Sequence, residues 1–452
     1  MQMMSSERLS VSLWVRVTEP SVGADYLALA SDKAWSDGMI EDYTSHHDFG
    51  RSRSTGVLPG WVLALTPEGG WTWNLGDGTA RLDYRPTVAR QAVVDGGWHM
   101  LAFTLDRGAQ EAWLYYDGQQ VSVYSIAGLG ECLGSVDSAG EAGAGWSVED
   151  VRVTPGVVRD PASIREEFQR RTGDVVPADG MSQQRVSEVR VLAWNIWHGG
   201  RRDGDEAGLE ATISAIRNSG ADIVTMQETY GSGVHIADAL GFHFYLRSSN
   251  LSIMSRFPIC ATYDLFQPFN FGGVCLQLSP SQYLRVFTTW LHYLPDYGGN
   301  MKADGEVTVE RLLQEEAETR AAEATRILAE LVPLLEESEQ IPVVMAGDFN
   351  SPSHLDWRQN TAPRHRDLVV DWPVSLAMLN AGFQDAYRTA VPDPVVSPGY
   401  TWSPRFSEAW KDRIDFVYCH GAVTTRSACV LDEQAPAWPS DHGAALVSLE
   451  LS

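Results

Sequence analysis

Eight side chains stand out because each sits at or just past the end of an apolar run and can bind a cation or move a proton. Asn195 ends VRVLAWN, Glu228 ends ADIVTMQE, and His292 follows TTWL; Asp348 and Asn350 lie in GDFN, Asp415 in RID, and Asp441 with His442 in SDH. Four carboxylates, two amides and two imidazoles make up the set. Carboxylate and amide oxygens suit a hard divalent cation, Mg²⁺ first, with Mn²⁺ or Ca²⁺ as alternatives, which keeps waters and substrate phosphate as further ligands. Clustered His or Cys of the kind that builds a structural zinc site is lacking. No cysteine or serine stands in a nucleophile setting, so direct attack by water is preferred to a covalent intermediate. No phosphate-binding P-loop signature occurs either.

The elements that must carry these residues follow an α/β grammar from Val189 onward. VRVLAWNI, ADIVTMQE, LSIMSRFPI, YLRVFTTWLHY, IPVVMAGDFN and RIDFVYCH read as strands. Leu209, Ile213 and Ile216 share one face of a helix over about 207–218, which Gly220 stops. A long acidic helix, roughly Glu306–Glu337, buries Ile327, Leu328, Leu331 and Leu335 and turns a solvated face outward. Polar residues recur at the carboxyl ends of the strands, where ligands collect in sheet proteins.

The preceding stretch is written differently. LSVSLWVRV alternates with period two, as a half-buried strand does. DYLALA, WVLALT, WTWNLG, HMLAFTLD, AWLYYDG and QVSVYSI follow, separated by turn formers such as PEGG, GDG and DRG. Short strands without intervening helices specify a β-sandwich. The run Gly97-Trp98-His99-Met100, then LAFTLD and LYYDGQQV, resembles the laminin-G-like or concanavalin-like jelly roll over about residues 7–170. That resemblance implies a possible glycan ligand, and Trp61, Trp71 and Trp73 could stack on sugars, although core packing is the safer reading of each. Residues 1–175 form this domain, 176–188 a linker rich in Gly, Pro, Asp and Ser, and 189–452 the α/β domain.

Composition narrows the partners. The 452 residues are 44% hydrophobic and 21% charged, enough for two folded domains, and no run approaches a membrane span. The net charge is −25, with both domains negative, which disfavours duplex nucleic acid without excluding it. Five scattered cysteines form no CxxC pair. The opening MQMMSSERLS has no apolar signal core, the pattern of a cytoplasmic chain; a leader removed ahead of it would make the protein secreted.

The ordered series WN, QE, H, GDFN, RIDF and SDH resembles the endonuclease/exonuclease/phosphatase superfamily over about residues 188–452. The resemblance implies two domains, an all-β jelly-roll sandwich followed by an α/β four-layer sandwich. It also implies roles. Glu228, with Asn195 beside it, would hold a catalytic Mg²⁺, Asp441 being a further candidate ligand. His442 would contact the scissile phosphate as general base or as cationic stabiliser, oriented by Asp441. Asp348 and Asn350 would orient water and bind phosphate oxygens, unless Asp348 is itself the base. Asp415 would support His442 or the metal, and His292 would donate to phosphate or protonate the leaving group. His198, in WNIWHGG, and Trp357, Arg364 and His365, in the long stretch after GDFN, are candidate substrate contacts, as is Trp402 in GYTWSP. The expected activity is hydrolysis of a small, glycan-linked or lipid-linked phosphodiester. A nuclease or phosphomonoesterase is the alternative within this chemistry, and a glycan-binding protein with an inactive hydrolase domain the alternative outside it.

Overall fold

The computed structural model describes residues 7–18, 26–33, 58–132, 134, 138–139, 145–174, 184–303, 307–432 and 438–452. Two compact units emerge, one of residues 1–180 with 230–246 and one of 181–229 with 247–452. Most of the expected linker, 176–183, lies outside the described residues.

The first unit is a jelly-roll-like sandwich. One sheet runs in the order Trp146–Pro155, Arg8–Val17, Trp98–Asp106, Glu111–Tyr116, Gln119–Ser125, His243–Leu246. The last strand, from the inserted segment, pairs in parallel, with Phe244 opposite Ser122 and Leu246 opposite Tyr124. The second sheet is Arg81–Tyr84, Trp71–Gly76, Gly60–Leu65, Leu27–Ser31, Ser138–Ala139. Aromatic rings fill the space between the sheets: Trp61 meets Phe103 edge-on at 5.2 Å, and Trp73 meets Tyr124 at 5.7 Å. Trp61, Trp71 and Trp73 are therefore core residues with no face left for a sugar.

The strand Arg8–Val17 departs from its half-buried pattern, because Ser10, Ser12 and Trp14 on its outer face are buried as well. A helix, Pro161–Thr172, and the chain entering it cover that face. Asp160 caps the helix by accepting from the Ser163 amide at 2.8 Å, proline follows at its start, and Gly173 ends it with φ 75°. Phe168 stacks on Trp14 at 5.6 Å, and Ser10 donates to the Val157 carbonyl.

The second unit packs two sheets face to face between helices, the expected four-layer arrangement. One sheet is Ser252–Ser255, Ile223–Gln227, Glu188–Asn195, Ala444–Leu451, Val423–Leu431. The other is Ile259–Tyr263, Phe271–Ser279, Gln282–Trp290, Val343–Asp348, Asp415–His420, Gln384–Asp385. Two parallel pairs, Asn195 level with Gln227 and Trp290 level with Asp348, bring strand ends to one edge. Asp415 begins an antiparallel strand opposite Asp348, so it reaches the same edge from the other direction.

The helix Asp205–Ser219 forms as expected, with Gly220 in the left-handed region at its end. The long acidic helix does not form as one piece. It divides into Val309–Ala317 and Arg320–Leu335, with Thr319 at φ −128°, ψ −101° between them, and Glu306 lies outside the described residues. Its exposed face is also only partial, because Glu316 and Arg320 are buried and paired at 2.7 Å. Arg320 donates to the carbonyls of His292 and Pro295, 3.1 Å each, which ties the break to the loop leaving the Gln282–Trp290 strand. Ile327 and Leu331 are fully buried and Leu328 and Leu335 partly so, as the apolar stripe requires.

Candidate active site

The site begins with a set of backbone anchors. Ser440 donates to the Asn195 carbonyl at 2.6 Å and accepts the His442 amide at 3.0 Å, which joins the last loop to the end of the Glu188–Asn195 strand. The His442 carbonyl accepts two indole N–H groups, from Trp194 at 3.1 Å and Trp438 at 2.6 Å. Thr401 Oγ1 accepts the amides of Ile414 and Asp415, which fixes the start of the Asp415 strand.

On these anchors the imidazole of His442 is held by buried carboxylates. Nδ1 lies 2.8 Å from Asp415 Oδ2, and Nε2 lies 3.9 Å from Asp348 Oδ2. Burial disfavours the imidazolium, but Asp415 and Asp348 more than offset it and push His442 up to about 10. Asp348 moves up to about 7, chiefly through burial and then through the Asp415 charge. The two carboxylates thus favour the protonated imidazole, while burial favours the protonated form of Asp348. Of the two roles open for His442, this favours the cationic stabiliser.

Asn195, Asn350 and Glu228 extend the set. Asn195 Nδ2 donates to Asp348 Oδ2 at 3.1 Å and to Glu228 Oε1 at 3.3 Å. Asn350 donates its amide to Asp348 Oδ1 at 2.9 Å and its Nδ2 to the Leu291 carbonyl at 2.9 Å. Glu228 sits one residue beyond its strand at φ 56°, its amide given to Asn250 Oδ1 at 2.9 Å, while Asn250 Nδ2 donates to the Phe269 carbonyl. Trp197, His198, Glu228 and Asn350 all adopt positive φ, a conformation that costs non-glycine residues about 1–3 kcal/mol each and gathers at functional positions.

The donor set fits a hard divalent cation. Asp441 Oδ1 is buried and has no hydrogen-bond partner among the described residues. Burial raises Asp441 to about 7, and the neighbouring Glu228 charge opposes its ionisation further, with His442 acting the other way. Oxygens with unmet demand beside a second carboxylate are what a dication satisfies. Asp348, Asp415 and His442 also have ligand atoms within 4.8 Å of one another. One hydrogen bond, between His442 Nδ1 and Asp415 Oδ2, joins that group, and Asp415 Oδ1 is buried without a hydrogen-bond partner among the described residues as Asp441 Oδ1 is. Asn195, Glu228 and Asp441 are therefore candidate metal ligands, with Asp348 and Asp415 next to them.

Outside this set the sequence-derived candidates scatter. Trp402 lies at the rim, its ring 4.9 Å from that of His442. His198 places its amide 3.0 Å from Glu228 Oε2. The His292 side chain is exposed beside Trp290 and Tyr293, and no hydrogen bond joins it to Asp348 or His442 among the described residues. The expected substrate loop resolves into core. Trp357 is fully buried against Tyr297 and Trp372, stacks on His365 at 4.1 Å, and donates to Asp412 at 3.0 Å. Trp357 has no face for substrate, because it folds inward on the Asp412 segment, while the buried His365 lines a small cavity with Arg364, Tyr400 and Asp412. Arg364 is exposed, with its guanidinium given to the carbonyls of Pro394 and Val395. Asn250 and Thr401 are the residues that sequence reasoning missed. Asn250 follows Ser248 and Ser249 just ahead of a strand, the local signal of a side chain spent on backbone.

The model of the Endonuclease/Exonuclease/phosphatase family matches residues 192–442, which span this whole constellation. The chain belongs to that family. It is accordingly a phosphoric ester hydrolase of a divalent-metal-dependent group. Residues 2–135 match the model of the concanavalin A-like lectin/glucanases superfamily. The uncharacterized protein F14F9.5 of Caenorhabditis elegans is 28% identical over 285 residues, covering 56% of this chain and 88% of its own. Among solved structures, an endonuclease/exonuclease/phosphatase from Beutenbergia cavernae is 18% identical with a TM-score of 0.40, over 59% of this chain and 72% of its own. The human nocturnin catalytic domain is 17% identical with a TM-score of 0.39, over 59% and 97%.

Proposed function

We propose that the family domain is a phosphodiesterase acting on a small, glycan-linked or lipid-linked phosphodiester by direct in-line attack of water. One observation carries the reading: the buried His442 imidazole, 2.8 Å from Asp415 and 3.9 Å from Asp348, beside the carboxylates Glu228 and Asp441. Asn195, Glu228 and Asp441 would hold a divalent cation, Mg²⁺ by the hardness of its oxygen donors, whose chemistry here is to polarise a phosphoryl oxygen. His442 compensates charge developing on the phosphoryl group, and Asp415 fixes its orientation. Asp348, with a raised pKa, accepts the proton of the attacking water, while Asn350 keeps its carboxylate in place. Trp402 and His198 border the opening, where they would meet the group carried by the phosphate.

The small-substrate assignment draws on the acidity of the chain, since a net charge of −25 opposes a long polyanion. A glycan-bearing substrate is favoured by the jelly-roll unit, through a ligand surface other than its buried tryptophans. The test is hydrolysis of bis-p-nitrophenyl phosphate and p-nitrophenyl phosphate with Mg²⁺, Mn²⁺, Ca²⁺ or EDTA, alongside Glu228→Ala and His442→Ala. Metal-dependent turnover of the diester, lost in both variants, is the expected result. Turnover of the monoester alone would replace the reading by a phosphatase, and preferential cleavage of oligonucleotides by a nuclease.

A further inference from the structure

The turn after Asn195 has a backbone that its sequence does not favour. Trp197 adopts φ 52°, ψ 94° and His198 φ 54°, so two bulky residues in succession take a conformation suited to glycine, although Gly199 and Gly200 stand next to them. Three consecutive amides show what this conformation achieves. Trp197 N–H donates to Asn195 Oδ1 at 3.0 Å, His198 N–H to Glu228 Oε2 at 3.0 Å, and Gly199 N–H to the Glu228 carbonyl at 2.7 Å. The turn therefore grips both the amide of Asn195 and the carboxylate of Glu228.

The indole of Trp197 is the part that keeps the turn in place. The Arg202 guanidinium lies over its ring at 4.8 Å and that of Arg405 at 5.0 Å, while Phe406 meets it edge-on at 5.8 Å. Arg405 is itself anchored to both oxygens of Asp203 and to the Trp438 carbonyl. Trp438 in turn donates to the His442 carbonyl, so the clamp connects with the opposite side of the site. Cation–π contacts of this kind offset part of the backbone cost of the turn.

We infer that Trp197 is a positioning residue: clamped by Arg202 and Arg405, it holds the left-handed Trp197–His198 turn whose amides orient Asn195 and Glu228 for the metal. This rests on the assignment of Asn195 and Glu228 as metal ligands made above. A glycine at 197 can adopt the same φ without steric cost but removes the clamped ring, so it separates the backbone conformation from the wedge that maintains it.

The experiment is Mn²⁺ binding to the full chain by isothermal titration calorimetry, without substrate, for wild type, Trp197→Gly, Trp197→Phe, Arg202→Met and Glu228→Ala. Steady-state kinetics on bis-p-nitrophenyl phosphate and thermal melting accompany it. Trp197→Gly is expected to weaken Mn²⁺ binding about tenfold, equivalent to roughly 1.4 kcal/mol, and to lower kcat with less than a threefold change in KM at saturating metal. Trp197→Phe, which keeps a ring for the guanidinium groups, should recover most of the affinity. Arg202 is exposed, so Arg202→Met tests the clamp without threatening the fold and should weaken binding by two- to fivefold. Mn²⁺ affinity within twofold of wild type in both Trp197→Gly and Arg202→Met would overturn the inference, as would a lowered melting temperature with unchanged metal binding. Wild-type affinity in Glu228→Ala would overturn the ligand assignment itself, a failure distinguishable from that of Trp197.

Discussion

Arg413 offers a quantitative test of how the site is supported. It is 1% exposed, two residues before Asp415, and its guanidinium meets two buried carboxylates. Nη1 and Nη2 donate to Asp385 Oδ1 and Oδ2 at 3.0 and 2.7 Å, and Nε donates to Asp356 Oδ2 at 2.9 Å. Burial works against the guanidinium charge, but Asp356 and Asp385 hold its pKa above the ordinary arginine value. Asp356 keeps a second cation, Arg388, whereas Asp385 depends on Arg413 for its bidentate partner. Arg413→Met keeps an unbranched apolar stem but removes the guanidinium, which leaves Asp385 buried without its counter-charge. Removing one member of a buried pair costs about 3–5 kcal/mol. For a unit of this size that lowers Tm by about 6–20 °C, at roughly 2–4 °C per kcal/mol. Arg413→Lys retains the charge but not the planar fork, and should cost about half as much. Adding Asp385→Asn to Arg413→Met removes the stranded charge and should restore part of the loss. Thermal and urea melts of the four proteins supply the numbers. A loss below about 1 kcal/mol in Arg413→Met, or no recovery in the double variant, would refute the account.

Other expectations follow from the same geometry. Asp415→Asn removes the charge paired with His442 Nδ1 at 2.8 Å and is expected to lower kcat on the diester by about 10²–10⁴ while leaving the fold intact; steady-state kinetics with a circular dichroism control decide it. Asn250→Ala frees the Glu228 amide and leaves the Phe269 carbonyl without its donor, so it should cost about 1–3 kcal/mol in urea stability and lower kcat through a displaced Glu228. In the jelly-roll unit, burial works against a charged His99, but hydrogen bonds to Asp117 and Asp95, 2.9 Å each, raise its pKa above the usual histidine value. Its folded pKa exceeds the unfolded one, so this contribution is complete below the unfolded value of about 6.5 and is lost as pH rises through the folded value. The stability gap between wild type and His99→Gln, read from urea midpoints, should narrow as pH rises above about 6.5. A gap that does not change with pH would contradict the pairing.

Much of the catalytic unit was legible because strand ends are marked twice in sequence, by the close of an apolar run and by a polar residue after it. Asn195, Glu228 and Asp348 were visible in that way, whereas Asp415 and His442 stand at or ahead of the start of their strands and were visible only through the ordered series of motifs. The N-terminal sandwich was legible from its turns and alternation, but the burial of Ser10 and Trp14 was not, because Val157, Arg159 and Phe168, which meet them, come from far along the chain. The acidic helix was misread for a related reason. Its periodicity continues through Thr319, where the helix breaks and Arg320 turns to the His292 and Pro295 carbonyls of a distant loop. Trp357 was misplaced because composition suggests substrate contacts wherever Arg, His and Trp gather, whereas Asp412, the acceptor of its indole N–H, lies in another loop. Asn250 and Thr401 were missed because they serve the site through backbone amides, and a residue used that way has no chemical signature of its own.

The left-handed residues explain why these support residues matter as much as the reacting ones. Local rules would put glycine or asparagine where φ is positive, yet three of the four such non-glycine residues at the site are Trp197, His198 and Glu228. Each forgoes a relaxed backbone, and each is held by named contacts: Asn195 Oδ1 for the first, Glu228 Oε2 for the second, Asn250 Oδ1 for the third. As the proposed cation ligand Glu228 needs its carboxylate, so glycine is unavailable there whatever its backbone cost. Once Glu228 is fixed in that conformation, the Trp197–His198 turn has to come close enough to grip it, and the strain passes to residues that do no chemistry themselves. Site geometry here is thus set by hydrogen bonds to backbone amides, at positions where side-chain identity alone predicts a different fold of the chain.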